Sequence, residues 1–72
     1  MSFNRLKKYR ERSGLTQEQL AGKLGMKLRR YQTYERGQVP IMCDVAIKAA
    51  KVLGATVDEV FNPNYVIDKL EN

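Results

Sequence analysis

The sequence contains no histidine and only one cysteine, Cys43. Without histidine, the chain lacks the usual general base of enzymes and the most common metal ligand in proteins. A single cysteine allows no internal disulfide and argues against a thiolate metal site. Because Cys43 falls in an apolar helical stripe, an inert core thiol is favoured over a redox switch or a nucleophile. We therefore expect a protein that is not an enzyme and that uses no metal or cofactor.

Long apolar runs are also missing. No stretch approaches the 18 residues that a membrane helix needs, and the start of the chain does not resemble a signal peptide. These absences predict a cytoplasmic protein without a membrane span. Its 72 residues, 43% apolar and 29% charged, predict one globular domain with a small core. Such a domain is too small for most enzymes that enclose a substrate, but it is large enough for a compact helical bundle.

Basic charge is concentrated in the first half of the chain. Residues 1–36 contain ten lysines and arginines against three glutamates, whereas residues 37–72 contain three lysines against five acidic residues. A polyanionic partner explains this asymmetry. For the four basic residues around the first helix, a solvated face is the alternative. These residues are Arg5, Lys7, Lys8 and Arg12.

Residues 17–36, with the sequence QEQLAGKLGMKLRRYQTYER, hold two short amphipathic helical patterns that meet at Gly25. Thr16 and Gln19 form a capping box, which predicts where the first of these helices begins. Gly25 supplies the left-handed residue of the turn. In the second pattern, the i, i+3 spacing of Tyr31 and Tyr34 predicts that both are buried. The opposite face then consists of Leu28, Arg29, Gln32, Thr33 and Arg36. A helix presented on a turn and rich in arginine favours insertion into a DNA major groove.

The remaining segments also have helical patterns of apolar residues, and no strand is needed to bury the core. Glycines at positions 14, 25, 37 and 54 each follow an amphipathic segment, which predicts at least four helices before residue 55. The first is expected over about residues 3–13 and the fourth over about 43–53. The fourth has an apolar stripe of Cys43, Ala46, Ile47, Ala50 and Leu53. A second capping box, Thr56 with Glu59, opens a short fifth helix that is expected to bury Val57, Val60 and Phe61.

The run from Leu6 to Phe61 resembles the Cro/CI-like (XRE) phage repressor family of helix-turn-helix domains, through the segments LKKYRERSGLTQEQLAGKLGM, YERG and AAKVLGATVDEVF. The resemblance implies an all-α, compact five-helix bundle of the lambda-repressor-like DNA-binding type. It also implies a recognition helix over 28–36 and a homodimer that binds an operator in double-stranded DNA. Among single residues, it implies that Gln17 contacts a phosphate and that Arg10 pairs with Glu35 between the first and third helices. It further implies that Leu28, Arg29 and Thr33 face bases.

One departure from the family pattern bears on the recognition helix. Where the family usually has serine, this chain has Lys27, so the helix loses its side-chain cap. Lys27, Arg29 and Arg30 also place cations at the positive end of the helix dipole, which a bound phosphate would relieve. The residues expected to contact DNA are Gln17, Lys27, Leu28, Arg29, Arg30, Gln32, Thr33, Arg36 and Gln38.

After a helix-turn-helix domain over residues 1–61, we expect a C-terminal extension over 62–72 that could serve dimerisation. Its apolar residues are Tyr65, Val66, Ile67 and Leu70. A short pairing strand or a further helical turn would bury them, and fraying is the alternative. We interpret the chain as a sequence-specific, repressor-like transcriptional regulator, with no small-molecule ligand evident. The alternative is a protein-interaction module, such as an antitoxin-like partner, that uses Val39, Ile41, Met42 and the extension.

Overall fold

The computed structural model describes residues 4–61 and 66–67, and this part of the chain contains five helices and two very short strands. The helices are α1 (Leu6–Arg12), α2 (Gln17–Lys23), α3 (Leu28–Glu35), α4 (Cys43–Val52) and α5 (Val57–Val60). The strands are β1 (Ile41–Met42) and β2 (Val66–Ile67). The five helices of the predicted bundle are confirmed, and the domain is mostly helical. Within the described ranges, no helix is long and apolar enough to cross a membrane.

The helix starts and ends follow local sequence signals. Both predicted capping boxes are formed, by Thr16 with Gln19 at α2 and by Thr56 with Glu59 at α5. The four glycines predicted to end helices all have positive φ. The first helix is shorter than the expected 3–13, because the side-chain oxygen of Asn4 accepts a hydrogen bond from the Leu6 amide at 2.9 Å and the helix begins there. Residues 1–3 lie outside the described residues.

The core lies between all five helices. Its largest fully buried side chains are Leu6, Leu20, Tyr31, Val60 and Phe61. The predicted burial of both tyrosines of α3 is confirmed, with Tyr31 0% and Tyr34 4% exposed. Burying an apolar side chain of this size contributes about 1.5 to 3 kcal/mol, so these residues supply much of the stabilisation that positions α3.

The predicted core stripe of α4 was partly wrong. Ile47 is 43% exposed, whereas Ala49, which the stripe left out, is completely buried. Ala46, Ala49 and Ala50 face the core, and these small side chains allow the backbone of α4 to approach its neighbours closely. Compared with the prediction, α4 is therefore rotated about its own axis, so that Ile47 faces solvent. Cys43 is half-buried rather than a core residue.

The expectation of an all-α fold also needs correction. Strand β1 pairs with β2 in parallel, with Ile41 opposite Val66 and Met42 opposite Ile67. Met42 is extended, with φ −67° and ψ 145°, because it is the N-cap residue of α4, a position that takes β-region backbone angles. Pairing with β2 then satisfies backbone groups of β1. At residues 66–67 the extension is therefore a pairing strand; the rest of 62–72 lies outside the described residues, and the boundary at 61 stays a prediction.

Candidate nucleic-acid interface

The α2–turn–α3 unit is built from short-range contacts. The Thr16 hydroxyl accepts from the Gln19 amide at 3.0 Å, and the Gln19 side chain accepts from the Thr16 amide at 2.9 Å. After α2 the chain turns at Gly25, which has φ +71°, and the Met26 amide donates to the Ala21 carbonyl at 3.0 Å. Ala21 is 2% exposed, so a small side chain lies where the two helices meet. The unit therefore presents α3 in a defined orientation.

The first turn of α3 has an excess of positive charge. Lys27 is its N-cap residue and makes no side-chain capping hydrogen bond, and the first turn contains no acidic residue. Lys27, Arg29 and Arg30 are all exposed. Backbone amides and cations thus share one end of the helix, a combination that attracts an anion. The predicted loss of the side-chain cap is confirmed.

The other side chains of the predicted interface differ in exposure. Leu28 is 37% exposed, which leaves an apolar group on the outer face of α3. Gln32 and Thr33 are half-buried, and the Thr33 hydroxyl donates to the Arg30 carbonyl at 2.7 Å. The remaining two predicted contacts, Arg36 and Gln38, are exposed just after the helix.

Arg30 is held against its own helix. Its Nε donates to the Tyr34 hydroxyl at 3.2 Å, and its guanidinium carbon lies 5.7 Å from the centroid of the Tyr34 ring. A cation over an aromatic face at this distance is attracted to it. The contact restricts Arg30 to one region beside α3. The structure therefore gives Arg29 and Arg30, which are adjacent in sequence, different surroundings.

A buried charge network anchors α3 to α1. Arg10 and Glu35 are each 8% exposed, and the Arg10 Nε donates to Glu35 Oε2 at 2.8 Å. The Tyr31 hydroxyl donates to the same carboxylate oxygen at 2.5 Å, and Arg10 Nη1 also donates to the Leu15 carbonyl at 2.8 Å. In the described residues, no buried side-chain nitrogen or oxygen lacks a hydrogen-bond partner. The structure thus places together the two residues for which the family resemblance implies a pair.

The ionisation of this network follows from its contacts. Burial alone raises the pKa of Glu35, but the hydrogen bonds from Arg10, Tyr31 and Gln17 outweigh it and hold the pKa below its ordinary value. The hydrogen bond to Glu35 raises the pKa of Arg10 despite its burial. Burial and the hydrogen bond to Glu35 raise the pKa of Tyr31. At neutral pH the network therefore contains a charged pair and a neutral phenol.

Gln17, for which the resemblance implies a phosphate contact, is part of this network. Its Nε2 donates to Glu35 Oε1 at 2.8 Å, and its Oε1 accepts from Gln32 Nε2 at 3.1 Å. Gln17 is the first residue of α2 and is half-buried. The side chain therefore joins the start of α2 to α3, a role that sequence spacing did not indicate.

Asn4 is a positioning residue that the sequence analysis missed. While its side-chain oxygen accepts from Leu6, its Nδ2 donates to the Tyr34 carbonyl near the end of α3 at 2.8 Å. Asn4 is also bridged to Phe61 in antiparallel fashion. The asparagine thus connects α1, α3 and the end of α5. Its residue type, a frequent N-cap residue, was the available signal.

Two basic residues around α1 make contacts within the domain. Arg5 Nη1 donates to the Glu59 carbonyl at 3.0 Å, and the Arg12 guanidinium carbon lies 5.2 Å from the Tyr9 ring centroid. Both arginines remain exposed, as do Lys7 and Lys8. These contacts favour a structural and solvated role for the arginines.

The residues suggested as a contact surface for a protein partner are mostly buried or half-buried within the domain. Ile41 is 4% exposed and belongs to the core, and Met42 is half-buried. Val39 alone of the three is well exposed, at 43%. The suggestion that Ile41 lies on an interaction surface was wrong, because β1 and the core bury it.

A family model described as a helix-turn-helix domain matches residues 4–61. The chain therefore belongs to the helix-turn-helix domain family, which confirms the helix-turn-helix part of the resemblance.

Known proteins similar to this chain include a curated transcriptional regulator and a regulator of known structure. An uncharacterized HTH-type transcriptional regulator of Methanocaldococcus jannaschii is 38% identical over 58 residues, which are 81% of this chain and 88% of that protein. The crystal structure of the clp gene regulator ClgR from Corynebacterium glutamicum superposes with a TM-score of 0.69 at 24% sequence identity. The likeness covers 74% of this chain but only 56% of the ClgR chain, so it shows the shared fold alone.

Proposed function

We propose that this protein is a transcriptional regulator that binds double-stranded DNA sequence-specifically, with α3 in the major groove. The observation that carries the proposal is the exposed first turn of α3, where three cations surround an uncapped helix start. Phosphates on either side of the groove would supply the missing negative charge. Family membership and the regulator named among its relatives support the same role.

The interface divides by chemistry into two groups. Lys27, Arg36 and Gln38 are exposed at the ends of α3, where they can hold phosphates. Leu28 and Arg29 lie on the outer face, where Leu28 can contact a thymine methyl group and the Arg29 guanidinium can donate two hydrogen bonds to guanine. This division supports binding, rather than catalysis, as the proposed role of these residues.

We further propose that the protein has the lambda-repressor-like fold and acts as a repressor-like homodimer. An eight-residue helix is about 12 Å long and reaches too few base pairs to select one site in a genome. Two copies related by a two-fold axis double the number of bases read. Outside α3, the large apolar side chains exposed among the described residues are Val39 and Ile47, which are available to such a contact.

Selection of binding sites from random duplexes tests the proposal, followed by titration of the best duplex at several salt concentrations. We expect inverted repeats with half-sites about 10 base pairs apart and a steep fall of affinity with salt. Lys48→Ala on α4 serves as the control, since it removes an exposed charge outside the interface. A protein-interaction module would instead enrich no sequence and show no salt slope, and that result would reject the proposal.

A further inference from the structure

A continuous line of side-chain hydrogen bonds runs from the buried charge pair to the outside of α3. Arg10 donates to Glu35, Gln17 Nε2 donates to Glu35 Oε1 at 2.8 Å, and Gln32 Nε2 donates to Gln17 Oε1 at 3.1 Å. Glu35 is 8% exposed, whereas Gln17 and Gln32 are half-buried. The line therefore begins in the core and ends at the candidate interface. We name these four residues the amide relay.

The chemistry of Glu35 determines the direction of every bond in the amide relay. An ionised carboxylate can only accept hydrogen bonds, so the amide of Gln17 must turn its nitrogen toward Glu35. The Gln17 oxygen then faces Gln32, which must in turn present its own nitrogen. This orientation follows from donor and acceptor chemistry and does not depend on how either amide is assigned. A glutamine without such an anchor is free to present either end.

The geometry points to Gln32 as a specificity-determining residue for adenine, with Arg10, Glu35 and Gln17 as positioning residues; this inference rests on the proposed function. One of the two amide hydrogens of Gln32 is committed to Gln17. Its oxygen and one N–H remain for DNA. Adenine offers the matching pair in the major groove, a donor at N6 beside an acceptor at N7. Guanine offers two acceptors, N7 and O6, and would need two donors.

The test compares the wild-type protein with Gln32→Met and Gln17→Met, two changes that remove an amide while keeping the length of the side chain. Fluorescence anisotropy measures binding to four selected duplexes that differ at one base pair, the position where Gln32→Met changes the selected sequence. Circular dichroism checks that each variant is folded. Lys48→Met, on the exposed side of α4, is the matched control.

We expect the wild-type protein to prefer adenine over guanine at that position by about tenfold or more. Gln32→Met should abolish this preference. Gln17→Met should reduce the adenine-to-guanine ratio, because Gln32 loses the contact that orients its amide. Loss of a phosphate contact alone would instead weaken all four duplexes equally and leave that ratio unchanged.

Two results would overturn the inference. One is a Gln17→Met variant with the wild-type adenine-to-guanine ratio, and the other is a Gln32→Met variant with unchanged preference at every position. If the wild-type protein itself enriches no sequence, the proposed function has failed instead, so the two failures are distinguishable.

Discussion

The Arg10–Glu35 pair makes a strong prediction about stability, which Glu35→Ala tests. The substitution removes a carboxylate that accepts hydrogen bonds from Arg10, Tyr31 and Gln17. Arg10 then stays buried without its counter-charge, and the Tyr31 hydroxyl loses its acceptor. Removing one partner of a buried pair costs more than the pair itself contributes, because the remaining charge has already lost its hydration.

The expected loss is about 3 to 5 kcal/mol of unfolding free energy, the usual cost of such a change. The lower end fits this site better, because Arg10 keeps its 2.8 Å hydrogen bond to the Leu15 carbonyl. A domain of 72 residues has a total stability of roughly 4 to 11 kcal/mol. The variant should therefore lose a large share of its stability, and a wild type with about 4 kcal/mol would keep only about 1 kcal/mol.

Urea denaturation followed by far-UV circular dichroism measures this loss. With a slope of about 1 kcal/mol per molar urea, the midpoint should fall by about 3 M. Glu11→Ala is the matched control, because Glu11 is exposed on α1 and its removal should change stability by less than about 0.5 kcal/mol. The double variant Arg10→Met, Glu35→Leu removes both charges and should be more stable than Glu35→Ala. Equal denaturation curves for wild type and Glu35→Ala would refute the reasoning.

Three further outcomes are expected. The pKa of Glu35 is lower in the folded than in the unfolded protein, so its contribution to stability is complete above the ordinary value of 4.5 and is lost as the pH falls through the folded pKa. Urea midpoints measured at decreasing pH should therefore fall in the wild type. Glu35→Gln should lack this fall. Arg29→Ala should weaken binding by about 1 to 3 kcal/mol and relax preference at one base pair per half-site, whereas equal weakening on all duplexes would indicate a phosphate contact. Gly25→Ala should destabilise the protein by about 1 to 2 kcal/mol, because Gly25 has a φ of +71°. Gly22→Ala should stabilise it by about 0.5 to 1 kcal/mol, because Gly22 lies inside α2 with open space around the added methyl group. Thermal melts that rank the two variants the other way would contradict this.

Much of the helical architecture could be predicted because its signals are local. A capping box joins residues three apart, and the left-handed glycine after a helix depends only on the chain around it. Thr16, Gly25 and Thr56 therefore marked helix boundaries without knowledge of the fold. The burial of Tyr31 and Tyr34 was predictable for the same reason, since helical geometry alone places them on one face.

The sequence alone thus determined which segments are helices, where α2 and α5 begin, and that α3 has an uncapped, basic first turn. Only the tertiary structure decided how these elements meet. It turned Ala49 of α4 inward and Ile47 outward, paired β1 with β2 across the 23 residues between them, and joined Gln17 to Gln32 and Glu35. The physical reason is that rotation of a helix, strand pairing and long-range hydrogen bonds depend on the close packing of parts distant in sequence, and no single segment carries that information.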